Sequence, residues 1–150
     1  MSVDVRVETV IGRPVDEVAA FAGDPTNAPE WYANIRQVEW RTEPPVAVGS
    51  QLDFVAHFLG RTLSYTYEVV ELEPARRLVM QTADGPFPME TAYTWEPAGD
   101  SGTRMTLRNR GTPSGFGGLA APLMERAMRR ATTKDLARLK ALLEARGEAP

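Results

Sequence analysis

The chain contains no cysteine, which excludes disulfides, thiolate nucleophiles and sulfur-ligated metals. Stability therefore has to come from packing. Histidine occurs once, at His57, so a zinc or iron site would need mostly carboxylates, and no HxH or HExxH spacing is present. No metal is expected. Lysine appears only at Lys134 and Lys140, and the net charge of −3 with a pI near 5.3 gives no electrostatic basis for holding nucleic acid, whose binding rests on neutralising phosphates. No window approaches the ~18 uninterrupted apolar residues of a membrane span. The start, Met1-Ser2-Val3-Asp4-Val5-Arg6, lacks the basic-then-apolar order of an export signal. A cytoplasmic protein with no membrane insertion is expected.

The parts of the familiar catalytic motifs are missing as well. There is no GxSxG turn to present a nucleophilic serine. The glycine-rich stretch Gly111 to Gly118 lacks the GK[ST] ending of a phosphate loop. It reads instead as a hinge or portal loop, with Thr112 or Ser114 capping the helix that follows.

What is present is an ordinary globular composition, 43% hydrophobic and 25% charged in 150 residues, the size of one domain with a sizeable core. The preference for arginine over lysine, with plentiful alanine, glycine and proline, suggests a GC-rich bacterial genome. Val3, Val5, Val7 and Thr9 alternate with Asp4, Arg6 and Glu8, which predicts a half-buried strand over 3–11. Pro14, followed by Asp16 and Glu17, opens a short helix with carboxylates at its positive end. Gly23-Asp24-Pro25 breaks it, and Asp24 can cap a second one leading to Trp31 and Tyr32. Strand patterns then fill about 35–42, 50–59, 61–72, 77–84, 88–97 and 103–111. Gly49, Gly60, Pro74, Gly85-Pro86 and Gly99 to Gly102 mark the reversals of an antiparallel meander. A long amphipathic helix, roughly Phe116 to Ala145, closes the chain.

Strand alternation sorts the side chains by face. One face collects Leu52, Phe54, Ala56 and Phe58, then Leu63, Tyr65, Tyr67 and Val69, then Met89, Thr91, Tyr93 and Trp95, and finally Met105, Leu107 and Asn109. The other carries Asp53, Ser64, Glu68, Glu90, Arg104, Arg108 and Arg110 and belongs in water. His57 falls on this wet face. On the last helix, Ala121, Met124, Met128, Ala131, Leu136, Leu139, Leu142 and Leu143 share one apolar sector. Asp135 lies near its middle, and Arg126, Arg130, Lys134 and Lys140 lie opposite. A curved sheet closed around one helix leaves a hollow between them, here aromatic and methionine-rich with a few polar tips.

The order of one strand, two short helices, six strands and a long helix resembles the helix-grip fold of the START-related and pollen-allergen-related proteins, the SRPBCC superfamily. Pro14-Val15-Asp16-Glu17-Val18 with Phe21, Pro29-Glu30-Trp31, Val48-Gly49-Ser50, Tyr67 to Pro74 and Asp135 to Lys140 are similar to its bacterial polyketide cyclase/dehydratase-like branch, over essentially the whole chain. The resemblance implies an α+β helix-grip fold in one domain, 1–150: a seven-stranded curved antiparallel sheet wrapped around a long C-terminal helix, with two short helices after the first strand. It implies a cavity for a small hydrophobic molecule and no cofactor. Trp31, Tyr32, Phe87 and Met89 are placed at its mouth, and Phe54, Phe58, Tyr65, Tyr67, Tyr93, Met105, Leu107, Met124 and Met128 along its wall.

Three functions are compatible with that cavity. The first is binding of a largely apolar, aromatic or polyketide-like molecule. The second is a cofactor-independent cyclase or dehydratase in which Tyr65, Tyr67 and Asn109 hydrogen-bond a developing enolate and Asp135 acts as acid or base. The third is an interaction module like the chaperone activators of the same superfamily, against which the well-charged solvent faces speak. For Asp135 a docking role is the alternative, paired with an arginine or with a tryptophan indole N–H. The oligomeric state is left as monomer or homodimer.

Overall fold

The computed structural model describes residues 1–148. Strand β1 (Val3–Ile11) is followed by helix α1 (Val15–Ala22), a 3-10 turn (Pro25–Asn27) and helix α2 (Ala28–Trp31). Six strands then run as β2 (Ile35–Trp40), β3 (Gln51–Phe58), β4 (Arg61–Glu73), β5 (Arg77–Asp84), β6 (Met89–Ala98) and β7 (Gly102–Gly111), before helix α3 (Ala121–Glu148). The sheet order is β1-β7-β6-β5-β4-β3-β2, so every consecutive pair from β2 to β7 is a hairpin. Strand β1 returns to the far edge beside β7, paired antiparallel from Val3↔Gly111 to Ile11↔Thr103. The short helices cross from one edge of the sheet to the other.

Asp24 stops the chain between them by accepting from the Thr26 amide at 3.0 Å and the Thr26 hydroxyl at 2.6 Å, which supplies a partner for an otherwise free amide at a helical start. Strand β4 is the longest, and its pairing with β5 slips between Thr66 and Tyr67 and again between Val69 and Glu71. Such irregularities bend a strand and strengthen its twist, and they curl the sheet around α3.

The outer face of the sheet carries cross-strand ion pairs, Arg108 with Asp4, Arg110 with Glu90, Arg104 with Glu96 and Arg41 with Asp53. Exposed pairs of this kind stabilise by less than about 1 kcal/mol each, and their main effect is to keep that face wet. His57 is also exposed there, beside the Thr62 hydroxyl. The inner face holds the core. Leu136, Leu139 and Leu143 of α3 are completely buried against a cluster containing Ile11, Val18, Leu52, Leu78, Met105 and Leu107, and each such side chain stabilises the fold by about 1.5–3 kcal/mol. At the β1 edge, α3 side chains bond directly to the strand: Arg129 Nη1 donates to the Arg6 carbonyl at 2.9 Å and Lys140 Nζ to the Val10 carbonyl at 2.7 Å. The Gly12 amide in turn donates to Glu144. No described helix is long and apolar enough to cross a membrane.

Helix α3 begins at Ala121, five residues later than the pattern suggests. Gly115 and Gly117 both adopt positive φ, and the chain stays non-helical until the Ala120 carbonyl accepts the first helical amides, those of Leu123 and Met124. Thr112 and Ser114 therefore cap nothing. The Thr112 amide is spent on the Pro88 carbonyl and the Ser114 carbonyl on Arg61.

Candidate functional site

Toward its N-terminal end α3 stands off the sheet and leaves a cavity of about 160 Å³, close to the size that accepts a benzene-sized molecule inside a protein. Met124, Met128, Ala131, Thr132 and Asp135 form the helix side. Phe54, Ala56 and Phe58 of β3, Leu63, Tyr65 and Tyr67 of β4, Met80 and Thr82 of β5, Met89, Thr91 and Tyr93 of β6 and Asn109 of β7 form the sheet side. Register explains the aromatic wall. Phe54 lies opposite Tyr65, and their rings stack 5.3 Å apart at 5°, with Tyr67 edge-on to both at 5.4 and 5.0 Å.

Polar groups are few and mostly satisfied by each other. Thr91 lies opposite Asn109 and donates to its Oδ1 at 2.6 Å. That uses the threonine proton, so Tyr67, reaching across β5, must donate its own to Thr91 Oγ1 at 2.8 Å. The chain of bonds leaves the Asn109 amide N–H groups free to donate. Nearby, the Tyr32 and Tyr93 hydroxyls are 2.6 Å apart, and since one proton serves that bond, the accepting hydroxyl keeps its own for another partner. Burial pushes Tyr67 up to about 12. Tyr32, Tyr65 and Tyr93 are raised too, first by burial and then by neighbours that include, for Tyr32 and Tyr93, the Asp135 carboxylate. These phenols stay protonated and act as hydrogen-bonding groups.

Asp135 is 4% exposed. Its Oδ1 accepts from the Ala33 backbone amide at 3.0 Å, which ties α3 to the residue just beyond α2, while Oδ2 has no protein partner among the described residues. Loss of water raises its pKa from 3.8 to about 6, partly offset by the Ala33 amide and by the Arg138 charge. The docking partner is thus a backbone amide. Arg138 donates to the Glu30 carbonyl instead, and the buried indole N–H groups of Trp31 and Trp95 have no hydrogen-bond partner among the described residues.

The mouth is built from the loop before α3 and two hairpin ends. Pro86 and Phe87, Pro113 and Phe116, and Phe58 line it. Phe116 packs against Phe58 and Phe87 at 6.1 and 5.9 Å, and the Arg61 guanidinium covers the Phe116 and Phe87 rings at 5.3 and 5.8 Å. Arg61 also donates to the Ser114 carbonyl, pinning the loop. Gly115 makes that possible, because a Cβ there would overlap the Arg61 side chain.

Of the residues picked from the sequence, Phe54, Phe58, Tyr65, Tyr67, Phe87, Met89, Tyr93, Asn109, Met124, Met128 and Asp135 all line this cavity. Trp31, Met105 and Leu107 do not. Met105 and Leu107 share the inward face of β7 with Asn109 but are fully buried where α3 touches the sheet. Trp31 is also fully buried, packed on Tyr93 at 5.8 Å, whereas its neighbour Tyr32, expected beside it at the mouth, does line the cavity. Asn34, Ile35, Ala56, Leu63, Met80, Thr82, Pro86, Thr91, Pro113, Phe116, Ala131 and Thr132 complete the lining. Met80 and Thr82 were accessible to the alternation argument, being two and four residues beyond buried Leu78 on β5.

A seven-stranded antiparallel sheet gripping one long helix, with an apolar hollow between them, is the helix-grip architecture of the START superfamily. Within it the chain belongs to the family described as polyketide cyclase / dehydrase and lipid transport, whose profile matches residues 2–144. No match is found among curated proteins. Among solved structures, TTHA0849 from Thermus thermophilus superimposes with a TM-score of 0.79 at 23% identity, covering 95% of this chain and 97% of that one. The Zhui aromatase/cyclase from Streptomyces sp. R1128 does so at 0.78 and 17% identity over 97% and 96%. A START superfamily protein from Mycobacterium smegmatis reaches 0.82 at 12% identity over 95% and 97%.

Proposed function

We propose that the protein binds a small, largely apolar, aromatic molecule in the cavity between sheet and α3. The observation that carries this reading is the lining itself: stacked rings and methionines around a few converging polar groups, the composition expected of a small-molecule site. The family description and the aromatase/cyclase among the similar structures support it. Native mass spectrometry of gently purified protein from its own host tests it, with a co-purified small molecule expected. Ala131→Trp, which fills the hollow from the helix side, should abolish binding of aromatic probes with little change in melting temperature. Unaltered affinity in that variant would place the site elsewhere.

A second reading is favoured by Asp135 alone. A carboxylate held near a pKa of about 6 with a free oxygen on the cavity is suited to take a proton from the carbon between two carbonyls and return it to a departing oxygen. Asn109 and the Tyr32–Tyr93 pair would hydrogen-bond the enolate. Turnover of a poly-β-ketone measures this, and an Asp135→Asn, Tyr93→Phe or Asn109→Ala variant as fast as the parent would remove these assignments.

A further inference from the structure

The cavity has a charge preference that its apolar composition conceals. None of its lining residues is arginine, lysine or histidine, and the sole ionisable group besides the phenols is Asp135. That carboxylate is 4% exposed, has one oxygen fixed by the Ala33 amide and the other without a protein partner. A buried charge left half-satisfied gains most from a ligand that completes it. The remaining wall presents aromatic rings from Phe54, Tyr65, Tyr67, Tyr32 and Tyr93, and ring faces are electron-rich and attract cations. Carboxylate and ring faces favour the same sign of ligand charge.

We propose that the cavity is selective for an aromatic amine in its protonated form, whose ammonium group bonds to the free oxygen of Asp135 while its ring packs on the Phe54–Tyr65–Tyr67 wall. The inference rests on the ligand-binding reading above. The volume of about 160 Å³ limits the buried part to roughly one ring with a short side chain. A carboxylate on the same ring would bring a second negative charge to a lining that contains no cationic side chain. Two arginines lie outside and do not alter the sign. Arg138 is exposed and bonded to the Glu30 carbonyl. Arg61 is at the mouth, engaged with Ser114 and the Phe87 and Phe116 rings.

Three probes that share a phenylethyl group and differ in its end group test this on the unmodified protein at pH 8: 2-phenylethylamine, n-propylbenzene and 3-phenylpropionate, with dissociation constants from ligand-observed NMR titration. The amine is expected to bind at least about tenfold tighter than propylbenzene, and the propionate weakest. Asp135→Asn retains an oxygen for the Ala33 amide, and it should bring the amine and propylbenzene to within about threefold of each other. Propylbenzene binding as tightly as the amine, or the propionate binding tightest because its head group sits at Arg61, would overturn the charge preference and leave the cavity reading intact. Binding of none of the three would overturn both.

Discussion

The two halves of α3 meet the same sheet and do opposite things. From Leu136 to Leu143 the helix presses leucines into Ile11, Met105 and Leu107, and nothing is left between them. From Met124 to Asp135 it offers thin or flexible side chains, Met128, Ala131 and Thr132, to a wall of rings that they do not fill. One half holds the molecule together and the other keeps a space open. Tight packing and open space are divided along the axis of a single helix, so a substitution's position along α3 predicts whether it costs stability or alters the hollow.

The largest effect should come from the packed half. Leu139→Ala leaves a hole in a fully buried site and is expected to cost about 2–5 kcal/mol in denaturant unfolding, whereas Met128→Ala, on the hollow, should cost less than about 1 kcal/mol. Equal losses at both positions would erase the distinction between the halves. Asp135, at the boundary, comes next. Its folded-state pKa of about 6 lies above the unfolded 3.8, so between those values the folded protein binds more protons, and stability falls as pH rises through that window. Asp135→Asn removes this dependence, and Tyr32 and Tyr93, both raised by burial, stay protonated throughout the window. The variant should gain up to about 2 kcal/mol over the parent on going from pH 4 to pH 8. A difference that stays flat across that range would mean the carboxylate is well hydrated.

The smallest effect on stability is expected at the mouth. Arg61→Ala frees the loop from Phe87, Phe116 and the Ser114 carbonyl, with a change under about 1 kcal/mol, yet amide hydrogen exchange at residues 112–120 should accelerate several-fold. Exchange as slow as in the parent would show that the aromatic contacts alone hold the loop.

Periodicity made the architecture legible, since alternation identifies strands and their faces and a 3.6-residue repeat identifies the helix. It could not supply depth. Asn109, Leu107 and Met105 lie on one face of one strand, and only the tilt of α3 across the sheet decides that the first lines the hollow while the other two are sealed in the core. Trp31 and Tyr32 differ for a related reason: the sequence places both at the mouth, but at the end of a four-residue helix adjacent residues point in different directions, and no pattern that short reveals that Tyr32 lines the cavity while Trp31 is sealed in the core. The late start of α3 is a matter of backbone conformation, because Gly115 and Gly117 take positive φ that a helix cannot use, and periodicity does not report φ.

The attachment of α3 to β1 has a consequence for assembly. An outer strand exposes a row of carbonyls and amides that can template another strand, which is a common route to aggregation. Here the helix has placed Arg129 and Lys140 on two of those carbonyls and Glu144 on the amide just past the strand's end. The helix thus acts as a selvedge, finishing one margin of the fabric so that it cannot be extended. The opposite margin is β2, six residues long and interrupted between Ile35 and Gln37, and short, irregular edges of that kind resist extension for a different reason.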